Sequence, residues 1–347
     1  MRRIDKLRES LSDNEAVYIT AYPDIFYYSG FQSPDAALLI SHSEAIIITD
    51  SRYTVQAKEQ AKGFSLYDIK NGLAGAFDMV GKVIGYQEEH ISAAKLDRLK
   101  NEFSKIEFVP MHEKVSSLRR VKDKAEIEKL RSAEALGDSA FSYILTRLGV
   151  GRSERDIALE LEFFMRKNGA SGLSFETIVA SGVRSSMPHG VASDKIIEKG
   201  ELVTLDFGCV LDGYCSDMTR TVGIGSLPDE AVNIYNVVLD AQKAALGAIV
   251  PGVKLSDVDR APRDVITKAG YGECFGHALG HSVGIEIHEN PCFSPKSKDV
   301  LTDGNVLSVE PGIYIEGFGG VRIEDLVAFY DQKTDNLSKS SKDLILI

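Results

Sequence analysis

The stretch Leu202–Val222, LVTLDFGCVLDGYCSDMTRTV, decides how this chain is read. Asp212-Gly213 lies between two strand-like runs and is a strong tight-turn signal. With the turn centred between 212 and 213, Asp206 falls opposite Thr219, and Asp217 becomes its diagonal neighbour on the same face. Two carboxylates then point into one place. Like charges that close are costly unless one is protonated or a cation sits between them.

The arrangement recurs downstream. Val306–Glu310 (VLSVE) repeats the apolar strand ending in a carboxylate, just before Pro311-Gly312, and the glycine-rich GFGGVRIED carries Glu324 on a return strand whose longer loop leaves the register open. Two helices precede each strand pair. The first long helix, with Ile127, Leu130, Leu136, Ala140, Ile144 and Leu148 at near-helical spacing, runs to Gly149-Val150-Gly151; Ser153 caps a second, with Asp156 three residues on and Gly169 after its end. Later a helix from Asp229 stops at Pro251-Gly252, Ser256 is expected to cap the next with Asp259 three residues on, and Gly270 closes it. Such repetition implies two similar half-domains facing each other around one cleft.

With 347 residues, two domains are expected: an α/β domain over 1–115 and a duplicated domain over 116–347, the boundary falling near residues 112 to 122. In the first, strands over Ala16–Thr20, Ala36–Ile40, Ala45–Thr49, Ser65–Ile69, Lys82–Tyr86 and Ile106–Val109 alternate with helices such as Tyr53–Ala61 and Ala93–Phe103. No glycine-rich phosphate loop follows its first strand, so no chemistry is assigned to it. Lys plus Arg total 40 against 51 Asp plus Glu, a net charge of -11, which argues against nucleic acid or anionic membrane as partner. The start turns polar where a signal peptide would turn apolar, and Cys209, Cys215, Cys274 and Cys292 show no CxxC spacing; a cytoplasmic protein with free thiols is expected. Asn336-Leu337-Ser338 matches a glycosylation acceptor, which has no role in that compartment.

Four carboxylates and a histidine suit a pair of first-row divalent cations, since carboxylates bridge ions and imidazole favours Mn, Fe, Co or Zn over Ca or Mg. Of 7 histidines, His277, His281 and His288 crowd into GHALGHSVGIEIHENP (Gly276–Pro291), and His189 lies in SSMPHG. Arg322, two residues before Glu324 and on the same strand face, is placed to orient the ligands.

LDFGCVLDGYCSDMTRT, GHALGHSVGIEIHENP, SVEPGIYI and GGVRIED together resemble, in order and spacing, the metallopeptidases of the pita-bread fold, and within it prolidase and aminopeptidase P. The resemblance spans about residues 120 to 347; residues 1 to 112 are more loosely similar to a creatinase-type amino-terminal domain. It implies two divalent ions, Mn or Co with Zn or Fe as alternatives, one held by Asp206 and Asp217 and the other by Asp217, His281, Glu310 and Glu324, with Asp217 and Glu324 bridging. It implies Glu310, His189 and His288 as catalytic groups, His189, His277, His288 and Arg322 as contacts to substrate, and peptides with proline in second place as substrates. It also implies a homodimer whose amino-terminal domain limits substrate length. Methionine aminopeptidase shares the ligands but usually lacks such a domain, creatinase lacks the metal carboxylates, and non-catalytic pita-bread binding proteins have eroded sites.

Overall fold

The computed structural model describes residues 3–347, which form two compact units divided between Arg119 and Arg120. The first is a mixed sheet of β1 (Glu15–Ile19), β2 (Ala36–Ser41), β3 (Ala45–Thr49), β4 (Ser65–Asp68), β5 (Val83–Tyr86) and β6 (Glu107–Pro110), in the order β4-β3-β2-β1-β5-β6. Pairs β1–β2 and β2–β3 are antiparallel and the others parallel. β3 reads AIIIT and is buried along its whole length, the pattern of a strand covered on both faces. The helix Tyr22–Ser29 escapes the periodicity because it is short and buried on nearly every side; Pro23 sits in its first turn and Gly30 ends it at φ 75°.

The second unit repeats itself. Its strands are β7 (Gly172–Leu173), β8 (Ile178–Ser181), β9 (Leu202–Phe207), β10 (Cys209–Leu211), β11 (Tyr214–Cys215), β12 (Met218–Gly223), β13 (Gly280–Ser282), β14 (Glu289–Phe293), β15 (Asn305–Val309), β16 (Gly312–Ile315), β17 (Gly319–Arg322), β18 (Asp325–Tyr330) and β19 (Lys333–Asn336). The core of one sheet is β12-β9-β8 and of the other β18-β15-β13, the same order in each half. Helices Lys124–Ile144 and Glu154–Lys167 back the first, and Asp229–Ala248 and Leu255–Lys268 the second. Isolated bridges Ser153↔Ile196 and Lys254↔Val300 pin the start of the second helix in each half.

Two expected helix boundaries need correction. The first long helix stops at Ile144 rather than Gly149, because Thr146 and Arg147 N–H reach back only three residues, to Tyr143 and Ile144, tightening the last turn. Ser256 is not a cap. The helix begins at Leu255, and Lys254, bridged to Val300, occupies the N-cap with no side-chain bond; tertiary pairing sets this start. Ser153 does cap, accepting from Asp156 N–H.

Alternation along β9 sends Val203, Leu205 and Phe207 to the helices, where they meet Ala140, Ile144, Ile157 and Leu161, and leaves Thr204 and Asp206 on the opposite face. Asp212 and Gly213 take φ of 49° and 79°, and one register, with Val210 opposite Cys215 and Asp206 opposite Thr219, runs through the hairpin. Asn336 belongs to this packing too: its amide donates to Asp325, and Leu337 and Ser338 are buried. No helix among the described residues is long and apolar enough to cross a membrane.

Gly208 is where the hairpin closes most tightly, since a Cβ there would lie 2.0 Å from the carbonyl oxygen of Ser216. Gly208→Ala must push the strands apart between the two aspartates, so we expect a loss of about 1–3 kcal/mol in denaturant unfolding. An unchanged midpoint would show that the hairpin yields at no cost.

Candidate metal centre

Asp206 lies near the end of β9, Asp217 precedes β12, and Glu324 follows β17, and one carboxylate oxygen from each lies within 4.8 Å of the others. All three are buried. The second hairpin's register, left open by its sequence, is now defined: Val309 pairs with Asp325 and Gly312 with Arg322, which sets Glu310 directly across from Glu324. His281, on β13, turns Nε2 to 3.5 Å from both Asp217 Oδ2 and Glu310 Oε1. Its Nδ1 lies 3.2 Å from the carbonyl of Ser282, an arrangement that holds the proton on Nδ1 and leaves the Nε2 lone pair facing the carboxylates.

These five open onto a cleft of about 410 Å³ that His189, His277, His288 and Arg322 also line. The structure therefore brings the candidate ligands, the three further histidines and Arg322 to one cleft. Phe175, Ile178, Val191 and Ile287 form the apolar walls. His288 packs edge-on against His281 with ring centroids 4.3 Å apart.

Fixed donors answer part of the negative charge. Arg322 donates to Asp206 Oδ2 at 2.6 Å and to Thr219 Oγ1 at 3.0 Å, and Thr219 in turn donates to Glu324 Oε2 at 2.7 Å. Ser308 Oγ accepts from His281 N–H and donates to Glu310 Oε1. Four supporting groups escaped the sequence reading. Thr219 and Ser308 share strand faces with Asp206 and Glu310, a period-two signal that was available. Tyr314, whose hydroxyl accepts from Arg322 at 2.7 Å and meets His277 Nε2 at 3.0 Å, needed the register of the second hairpin. Glu134 needed the tertiary fold: fully buried on the long helix, it accepts from Asp217 N–H at 3.1 Å.

Among the described residues no lysine or arginine other than Arg322 pairs with these acids. Burial, then the charges of Glu324 and Asp206, hold the Asp217 carboxyl well above the usual carboxylate range; burial and the charges of Glu310 and Asp206 do the same to Glu324. Burial lifts Glu310 to about 7, with Arg322 opposing, and lowers His281 to about 4. Asp206 Oδ1 is buried with no hydrogen-bond partner among the described residues. An orphaned carboxylate oxygen, crowded acids and a neutral imidazole make a donor set that fits first-row divalent cations.

A duplicated sheet pair with carboxylates on facing hairpins and histidines lining the cleft defines a metallohydrolase of the pita-bread fold. Residues 128–330 match the model of metallopeptidase family M24, and residues 3–121 that of the creatinase/prolidase N-terminal domain. A Xaa-Pro dipeptidase of Pyrococcus furiosus is 36% identical over 99% of this chain and 99% of its own. Among solved structures, a Xaa-Pro dipeptidase from Bacillus anthracis superposes with TM-score 0.95 at 40% identity, covering 99% of both chains. An X-Pro aminopeptidase from Thermotoga maritima gives 0.93 at 38%, covering 99% of this chain and 100% of that one. The chain belongs to metallopeptidase family M24 and is a metallo-exopeptidase.

A carboxyl whose folded pKa lies above its unfolded value binds protons on folding, so the metal-free chain loses stability as pH rises from about 4 through the folded value, about 7 at Glu310. Divalent ions that take the place of those protons relieve the loss. The gap in unfolding temperature between manganese-loaded and metal-free protein should therefore widen from pH 5 to pH 8 in scanning calorimetry. A gap constant across that window would contradict the electrostatics described here.

Proposed function

We propose that the chain hydrolyses the peptide bond between an N-terminal residue and a following proline, with Asp206, Asp217, His281, Glu310 and Glu324 holding two divalent ions, Mn or Co with Zn or Fe as alternatives. The observation that carries the reading is the buried carboxylate cluster on the cleft floor with an unpartnered Asp206 oxygen. The specificity is supported by the relatives described above, whose names pair proline with both dipeptidase and aminopeptidase activity.

Two ions at this site would supply the Lewis acidity that makes water nucleophilic at neutral pH and stabilises charge on the scissile carbonyl oxygen. Glu310 moves the proton. Ser308 donates to its Oε1 and holds the carboxylate where it can take a proton from water and return it. The return matters because the nitrogen of proline in a peptide bond bears no hydrogen and leaves only when protonated. His189 and His288 act beside the scissile bond, and His277, hydrogen-bonded to Tyr314, faces the proline side. Arg322 keeps Asp206 aimed at the floor while Phe175, Ile178, Val191 and Ile287 hold the substrate and keep bulk water out.

We further take the working form to be a cytoplasmic homodimer. Four free cysteines support a reducing compartment, and the resemblance to prolidases supports the dimer.

Metal-stripped enzyme should lose at least 100-fold in rate on Xaa-Pro dipeptides, a roughly 3 kcal/mol effect at the barrier, and Mn or Co should restore it. The same preparation assayed on Xaa-Pro tripeptides and on dipeptides lacking proline reads length and proline preference. Full turnover after chelation would overturn the two-ion reading, and equal rates on Xaa-Ala and Xaa-Pro the proline specificity.

A further inference from the structure

Three histidines of the cleft, His189, His277 and His288, lie outside the candidate ligand set. Each sits on a segment whose backbone is gripped by one buried carboxylate paired with one cationic side chain. Glu154, fully buried at the start of the helix Glu154–Lys167, accepts from Ser181 N–H and Oγ on one oxygen and from Ser193 N–H and Oγ on the other. It thus closes both ends of the segment that contains His189. Arg184 adds a bond to the same carboxylate at 2.9 Å and reaches the carbonyl of Val191 at 2.7 Å.

Asp259, on the equivalent helix of the second half and 1% exposed, accepts from Leu279 N–H at 2.9 Å and is chelated by Arg263. Arg263 also donates to the carbonyls of Phe275 and His277. Glu289 accepts from the N–H groups of Ile285 and Glu286 through Oε1, and through Oε2 from the ammonium of Lys122 at 2.9 Å; the two side chains are 4% and 1% exposed. That turn ends at His288. A buried lysine is costly to hold, so its use here on one turn of backbone calls for a reason beyond packing.

We propose that the pairs Glu154–Arg184, Asp259–Arg263 and Glu289–Lys122 are positioning clamps that set the imidazoles of His189, His277 and His288 for the reaction. The inference rests on the proposed roles of those histidines. No neutral isostere can replace Glu154, because both its oxygens accept from backbone N–H and an amide would turn a donor toward one of them. In Asp259→Asn and Glu289→Gln the backbone bonds can survive, but the amide nitrogen then faces a cation.

Groups that orient a reacting side chain typically matter by about 10–100-fold, so each carboxylate variant should lower kcat by about that factor with the divalent-ion content unchanged by elemental analysis. The decisive readout is a double-mutant cycle of each clamp with its histidine: Glu154→Gln with His189→Ala, Asp259→Asn with His277→Ala, and Glu289→Gln with His288→Ala. A clamp that acts through its histidine costs nothing further once the histidine is gone. Losses that multiply in the double variants, or a fall in ion content in the clamp variants, overturn the inference. A histidine variant that by itself keeps full kcat instead removes the role proposed for that histidine, and its clamp with it. Should a carboxylate variant fail to fold, Arg184→Met, Arg263→Met and Lys122→Met run the same cycles.

Discussion

Mutual repulsion of buried carboxylates is the constraint to which the rest of the catalytic unit answers. Asp206, Asp217 and Glu324 bring oxygens within 4.8 Å of one another, all three buried at the base of the cleft. Two unit charges about 4 Å apart interact by about 4 kcal/mol at an effective dielectric of about 20. Three such contacts would rival the whole stability of a typical domain, about 5–15 kcal/mol. Arg322 and the hydroxyl of Thr219 meet one oxygen each of Asp206 and Glu324 and leave the remainder unanswered. Such a site persists only if protons or cations complete it, and the raised pKa values of Asp217, Glu310 and Glu324 describe the first case.

Duplication supplies the cleft, and the differences between the halves supply its chemistry. In the first hairpin the two aspartates are diagonal neighbours across a two-residue turn; in the second, the glutamates stand directly opposite across a longer one. Only the second half carries a histidine on the strand beside its carboxylates, which gives the site one nitrogen among oxygens. The histidine-bearing segments bond to buried acids of a different kind, Glu154, Asp259 and Glu289, whose charge is met by backbone N–H groups and a cation.

The first hairpin was readable from sequence because Asp212-Gly213 permits one tight turn, and a tight turn fixes every pair up to Asp206 and Thr219. Sequence could not register the second: its loop is longer, and only the pairing of Val309 with Asp325 sets Glu310 against Glu324. Thr219 and Ser308 were legible as same-face neighbours of Asp206 and Glu310, whereas Glu134 and the Lys122–Glu289 pair come from distant segments and carry no local signal. The Ser256 cap failed for a related reason. A bridge between Lys254 and Val300 starts that helix, and local cap chemistry had no say in it. Strands of the first unit matched their apolar runs closely because buried β-branched segments bounded by turns leave few alternatives.

The central claim is that this cluster exists to hold two ions side by side. Anomalous diffraction at the manganese edge from crystals of the manganese-loaded protein tests it most directly. Two peaks about 3.5–4 Å apart are expected, with Asp217 and Glu324 touching both, Asp206 touching one, and His281 and Glu310 touching the other. A single peak, or two peaks that leave His281 and Glu310 uncoordinated, would contradict it.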